Sequence, residues 1–181
     1  VWYSSDFGNT WAKIPGTSNC TEVVCSDVEN KVWMATNAGI RTWDGTNFET
    51  ISVTSGVCKA LKISGDAQVV VASFQSNKTY VSIDGGDFFE DRSGSATNNE
   101  VPAGANRIEY SISKEKNSDD MYSMYAVRTN SNLLSMHVSH DNGAVWTQFV
   151  GASGPPNEFD IYRDQGTYNS IVSVNPTDPE S

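Results

Sequence analysis

The chain has 181 residues, with 12 Lys+Arg against 22 Asp+Glu and a formal net charge of −10. With 38% hydrophobic and 10% aromatic residues it suits one folded domain rather than a disordered tail. The acidic balance argues against a nucleic-acid backbone or an anionic membrane as a partner, because both need a basic face. Apolar runs such as 69–72 are too short to cross a bilayer, so no membrane insertion is expected.

In chain order, no n-region, h-region and cleavage site open the sequence. It starts on Val1 rather than Met, which leads us to expect a start other than that of translation. Strands are predicted at 1–3 and 11–14, around Ser4-Ser5-Asp6-Phe7-Gly8-Asn9-Thr10-Trp11. Residues 22–26 and 32–35 form a second strand pair around a polar turn. Thr42-Trp43-Asp44-Gly45-Thr46-Asn47-Phe48 follows as a shortened copy of the first turn. Residues 60–64 and 69–74 flank Gly65-Asp66, and 79–81 leads into Ser82-Ile83-Asp84-Gly85-Gly86-Asp87-Phe88-Phe89, with 88–89 as the next strand. Residues 93–106 read as a Gly/Ser/Asn-rich loop. Strands at 107–113 and 121–127 flank the polar loop 114–120, which holds Asp119 and Asp120. Strand 134–138 leads into Ser139-His140-Asp141-Asn142-Gly143-Ala144-Val145-Trp146 and strand 146–150; a loop at 151–157 and a last strand within 167–176 close the chain. No stretch of ten residues has helical periodicity.

The turns repeat as Ser-x-Asp-x-Gly-x-x-aromatic, starting at 4, 42, 82 and 139, at intervals of 38, 40 and 57 residues. A period near 40 is that of a four-stranded propeller blade. Asp-x-Gly between two strands predicts a hairpin, because Gly supplies positive φ and the Asp carboxylate accepts from the turn's own amides. Each unit therefore reads as a four-stranded antiparallel meander.

These boxes resemble the Asp-box, or BNR, repeat Ser-x-Asp-x-Gly-x-Thr-Trp. Residues 4–11 match every fixed position, and the copies at 82 and 139 lack the Thr. The resemblance implies an all-β fold, a β-propeller of four-stranded antiparallel blades with Asp-box hairpins. About 15 strands, just under four blades, make it part of a propeller: 1–14 the end of a blade; 20–52, 57–92 and 106–150 complete blades; 167–176 the first strand of a next blade. It also implies fold roles, not catalysis, for the box residues Ser4, Asp6, Gly8, Thr10, Trp11, Asp44, Ser82, Asp84, Gly86, Ser139, Asp141, Gly143 and Trp146. The family spans sialidases, xyloglucan-active hydrolases, sortilin-like receptors, photosystem assembly factors and bacteriophage virion proteins, so fold alone does not name a function.

Chemical motifs are sparse. Ser139-His140-Asp141 lie adjacent in a box, whereas a triad needs side chains that converge from distant positions. His137 and His140 are three apart and would face opposite sides of a strand, and no metal or cofactor is expected. A calcium turn at Asp84-Gly85-Gly86-Asp87 lacks a complete loop pattern. A sialidase site needs an arginine triad; Arg107-Ile108-Glu109 is the nearest approach to Arg-Ile-Pro among five Arg. Cys20, Cys25 and Cys58 read as small buried hydrophobes, with a disulfide as the alternative. Asn19 and Asn77 begin glycosylation sequons. Trp33, Trp43 and Tyr122 are candidate stacking platforms for a sugar, with inter-blade packing as the competing role. The expected function is a non-enzymatic structural or binding module of an extracellular or virion assembly, binding carbohydrate or protein. Its open edges would be covered by the rest of a longer chain or by a protein partner. The alternatives are a fragment of a secreted glycoside hydrolase and a sortilin-like receptor or assembly-factor propeller.

Overall fold

The computed structural model describes residues 1–17, 19–26, 28–74, 77–151 and 160–175. Sixteen strands lie among them. β1 (Trp2–Tyr3) and β2 (Ala12–Lys13) form an antiparallel hairpin. β3 (Cys20–Cys25), β4 (Val32–Thr36), β5 (Gly39–Trp43) and β6 (Phe48–Ile51) pair in chain order as the first antiparallel meander. β7 (Cys58–Ile63), β8 (Val70–Phe74), β9 (Lys78–Ser82) and β10 (Glu90–Asp91) form the second. β11 (Ser93–Gly94) and β12 (Val101–Pro102) pair in parallel around a 3₁₀ turn at Ala96–Asn98. β13 (Arg107–Lys116), β14 (Tyr122–Thr129), β15 (Leu133–Ser139) and β16 (Thr147–Gly151) form the third meander.

The first strands of successive meanders, β3, β7 and β13, lie side by side. Glu22 on β3 accepts the Leu61 amide of β7 at 2.7 Å and pairs with Lys62, and the Thr21 hydroxyl donates to the Cys58 carbonyl at 3.0 Å. Stacked meanders whose first strands meet side by side are the blades of a β-propeller, and we call them blades one to three.

Blade two buries both faces because residues alternate along its strands. On β8, Val70, Ala72 and Phe74 pack with Trp33, Ala35 and Ile40 of blade one. Val69 and Val71 face the other way and pack with Ile108, Tyr110, Met124 and Trp146 of blade three. Burying side chains of this size stabilises by roughly 1.5–3 kcal/mol each. The far face of blade three is partly covered by residues 160–175: Tyr162 packs with Val127 and Leu133, and Val172 lies against them.

Several expectations are corrected. Residues 88–89 are not a strand; Phe89 is spent on packing against blade one, and the ladder starts at Glu90. The loop at 93–106 holds the β11–β12 pair. Residues 167–175 carry no ladder, although the Val174 amide donates to Ser111 Oγ on β13 at 2.9 Å, so this segment runs beside the first strand of blade three. The predicted loop at 151–157 lies outside the described residues beyond Gly151.

Candidate functional site

The box turns explain why Ser, Asp and Gly recur. In the third box, Ser139 Oγ donates to Asp141 Oδ1 at 2.7 Å and accepts the Gly143 amide at 2.9 Å, while Asp141 Oδ1 accepts the Val145 amide at 2.9 Å. The second box repeats this with Ser82, Asp84, Gly86 and Phe88 at 2.7, 2.9 and 3.0 Å. The first box has the same amide contact, Thr10 to Asp6 Oδ1 at 2.8 Å, and adds one the others lack: the Thr10 hydroxyl donates to Oδ2 at 2.6 Å. The shortened copy keeps only the carboxylate, with Asp44 accepting the amides of Thr46 and Asn47 at 2.8 and 2.6 Å. These donors favour the charged forms. The Thr10 hydroxyl and amide hold Asp6 below the usual carboxylate range, the Ser82 hydroxyl does so for Asp84, and the Asn47 contacts bring Asp44 down to about 2. The box carboxylates are thus occupied by their own turns.

A further turn of this chemistry escaped the sequence reading. Ser64 Oγ donates to Asp66 Oδ1 at 2.6 Å and accepts the Val69 amide at 2.9 Å. It joins β7 to β8, so it stands on another hairpin of the blade than the boxes do. Burial raises Asp66, but the Ser64 and Gln68 donors outweigh it and leave the group lowered. Ser64-Gly65-Asp66 is visible in the sequence as Ser-x-Asp; it lacks the later Gly and aromatic.

The aromatics that end the second and third boxes pack on the preceding blade. Trp146 is fully buried against blade two and donates Nε1 to the Gly143 carbonyl at 3.0 Å. Phe89 is buried against blade one. Trp11 makes the same bond to the Gly8 carbonyl at 3.1 Å, yet is 61% exposed.

Of the proposed stacking residues, Trp33 has 0% exposure and Tyr122 6%, so neither offers a face to a ligand. Trp33 is enclosed because Gly86 of the next blade lies against its ring, and Tyr122 because it packs in the core between blades two and three. Trp43 is half-buried, with its ring centroid 4.4 Å from that of Tyr3 at an interplanar angle of 52°. These two rings line a groove of about 650 Å³ between the β1–β2 hairpin and blade one. Glu29, Asn30 and Lys31 from the β3–β4 turn, Asp44 from the shortened box, and Cys25 and Ser26 share the lining. Glu29 is held there by the Trp33 indole N–H at 3.3 Å and by Lys31 at 3.9 Å. The groove thus joins an aromatic pair to charged and amide groups able to donate and accept.

The remaining candidates take structural positions. His137 is fully buried, with Nε2 against Ser135 Oγ at 2.9 Å; burial and then the Arg128 charge lower it to about 4. His140 is exposed, its Nδ1 2.9 Å from Ser123 Oγ, and no group of metal-binding side chains forms among the described residues. Arg107 pairs with Glu109 at 2.5 Å and donates to the Thr167 carbonyl. Burial raises Glu109 despite the Arg107 donor. The three cysteines are free; Cys58 is buried as expected, but Cys25 is exposed because it ends β3 at the groove. Asn77 is buried with Nδ2 donating to the Ala105 carbonyl, so its sequon is closed to a glycan in the folded chain.

The architecture defines an all-β chain of propeller blades. No family model and no curated protein matches the sequence. Among solved structures, a GH74 enzyme from Niastella koreensis is 14% identical over 83% of this chain and 26% of its own, with a TM-score of 0.64. The GH74 xyloglucanase from Xanthomonas campestris is 13% identical over 82% of this chain and 27% of its own, with a TM-score of 0.40. YCF48 bound to D1 peptide is 15% identical over 81% of this chain and 59% of its own, with a TM-score of 0.42. The Niastella likeness supports the propeller fold; the other two are too loose to say more. This chain spans about a quarter of the Niastella enzyme's length.

Proposed function

We propose that this chain is a non-enzymatic β-propeller module of an extracellular or virion assembly, and that it binds carbohydrate in the Tyr3–Trp43 groove. The observation that carries this reading is the aromatic pair beside Glu29, Asn30, Lys31 and Asp44. Aromatic faces take the apolar faces of sugar rings, and charged and amide groups take their hydroxyls. A volume near 650 Å³ is in the range that holds a small ligand. The engagement of the box carboxylates with their own turns supports a binding rather than a catalytic role.

Calorimetry with cellohexaose, xylohexaose and mannohexaose tests the groove. Binding of one of them, lost in Trp43→Ala and kept in Trp2→Ala, is expected. No binding of any at millimolar concentration, or binding indifferent to Trp43→Ala, refutes the carbohydrate reading. Finding the chain's peptides in purified virions or in a secreted fraction tests the assembly reading.

One observation favours a glycoside hydrolase fragment instead. Burial raises Glu109 despite its pairing with Arg107, which is the direction a general acid needs. Hydrolysis of xyloglucan by the chain, abolished in Glu109→Gln, would favour that reading over the first.

A further inference from the structure

The second and third boxes depart from the first at one position, and the change leaves chemistry unused. Where the first box has Thr10, the second has Phe88 and the third Val145. The Thr10 hydroxyl occupies Asp6 Oδ2. Asp84 and Asp141 use only Oδ1 in their turns, and among the described residues Oδ2 of each makes no hydrogen bond or ion pair. Phe88 meanwhile is 66% exposed, as is Ile83 in the same box.

Both carboxylates and both apolar side chains line one groove of about 280 Å³ between the second and third boxes. Val81 and Met121 extend its apolar wall. Glu90 and Arg92 also line it and pair with each other. Three carboxylates against one guanidinium leave the groove with a formal charge of −2. All 12 Lys+Arg lie among the described residues, and of these only Arg92 lines the groove, so the described chain holds no cation to match it. Repeats stacked as blades touch only their neighbours, so blades added at either edge of this array leave the space between blades two and three open.

We infer that this groove takes an arginine side chain of a partner protein, presented from a segment with apolar neighbours. Its volume lies just below the roughly 300–1,000 Å³ of small-molecule sites, which suits one side chain rather than a whole ligand. The methylene stem packs on the apolar wall, and the guanidinium lies over the Phe88 ring and against the uncommitted oxygens of Asp84 and Asp141. Arginine is favoured over lysine because its planar, weakly hydrated head both stacks on an aromatic face and bonds carboxylates. Apolar neighbours in the segment cover the exposed surfaces of Ile83 and Phe88. The site is on other blades than the Tyr3–Trp43 groove and does not depend on it.

An NMR titration of the ¹⁵N-labelled 181-residue chain with the peptide acetyl-Leu-Arg-Leu-amide tests this. For so short a probe an affinity of roughly 1 mM is expected, with amide shifts centred on Ile83, Asp84 and Asn142. The affinity is expected to fall in about 0.5 M NaCl, which screens the charges. The Leu-Gln-Leu analogue is expected to leave these amides unmoved, and the Leu-Lys-Leu analogue to move them only at several-fold higher concentration. Phe88→Thr restores the residue of the first box, whose hydroxyl would occupy Asp84 Oδ2 as Thr10 occupies Asp6. It is expected to resist urea at least as well as wild type, yet to bind about tenfold or more weakly. Asp141→Asn keeps an Oδ1 acceptor for the Ser139 hydroxyl and the Val145 amide, and is expected to fold and to lose binding by a similar factor. Groove amides that stay unmoved at about 10 mM of the arginine peptide overturn the inference. So do shifts that the glutamine analogue reproduces, or a folded Phe88→Thr chain that binds as wild type does. Equal binding of the lysine analogue overturns the assignment to arginine.

Discussion

Gly86 and Trp33 meet across the interface of blades one and two so closely that a methyl group on residue 86 would stand 2.7 Å from the indole ring. Gly86 also holds φ 92°. One residue thus satisfies the turn of its own box and admits the largest core side chain of the neighbouring blade. Gly86→Ala is expected to destabilise by roughly 2–4 kcal/mol, from strained backbone and overpacking together. In Gly8→Ala the added methyl meets nothing nearer than Trp11 at 3.9 Å, so only the backbone cost of about 1–2 kcal/mol is expected. Urea unfolding of both variants measures the difference.

The Trp at the end of a box should count according to whether a blade lies over it. Trp146→Ala empties a fully buried site between blades two and three and is expected to cost about 3–5 kcal/mol. Trp11→Ala removes a 61% exposed ring and is expected to cost under about 1 kcal/mol in dilute solution. Equal losses in denaturant titrations would contradict the inter-blade role assigned to Trp146.

The first box shows what the third is missing. Thr10 gives Asp6 a hydroxyl donor at 2.6 Å, whereas the third box has Val145 at that position. Val145→Thr keeps the shape and supplies the donor to Asp141. It is expected to stabilise by about 0.5–1.5 kcal/mol, read as a raised midpoint in urea.

Stability should fall in acid for two separable reasons. Asp44, at about 2 in the folded chain against 3.8 ordinarily, contributes stability that is present above pH 4 and lost as pH falls through about 2. Asp6 and Asp84, also lowered, act in the same direction. His137 acts earlier: its folded value of about 4 lies below its ordinary 6.5, so the unfolded chain takes up the proton first. Its contribution is therefore complete above pH 6.5 and declines towards pH 4. His137→Gln is expected to flatten the stability profile between pH 4 and 6.5, leaving the steeper loss below pH 4 in place.

The blades were legible because their signals are local. Ser82-x-Asp84 and Ser139-x-Asp141 mark hairpins whose hydrogen bonds close within four residues, and the alternation of Val70, Ala72 and Phe74 with Val69 and Val71 marks a strand buried on both faces. What was not legible depends on neighbours far along the chain. Nothing beside Trp33 in sequence shows that Gly86 closes over it. The end of Phe89 as a packing residue rather than a strand residue is settled by blade one, and the β11–β12 pair by a parallel contact that carries no turn signature. The groove itself needs Tyr3 of β1, Glu29 of the β3–β4 turn and Asp44 of the shortened box, and of its lining only Trp43 announced a binding residue by its type.

Cys25 ends β3 in the lining of the Tyr3–Trp43 groove and is exposed, whereas Cys58 is buried and Cys20 half-buried, both with thiols pushed up by burial. The folded chain therefore presents one readily alkylated sulfur, already placed where a ligand would sit. A brief maleimide treatment would attach a fluorophore there without any engineered residue. Protection of that sulfur from labelling would then read out occupancy of the groove by any molecule, coloured or not, at concentrations too low for calorimetry.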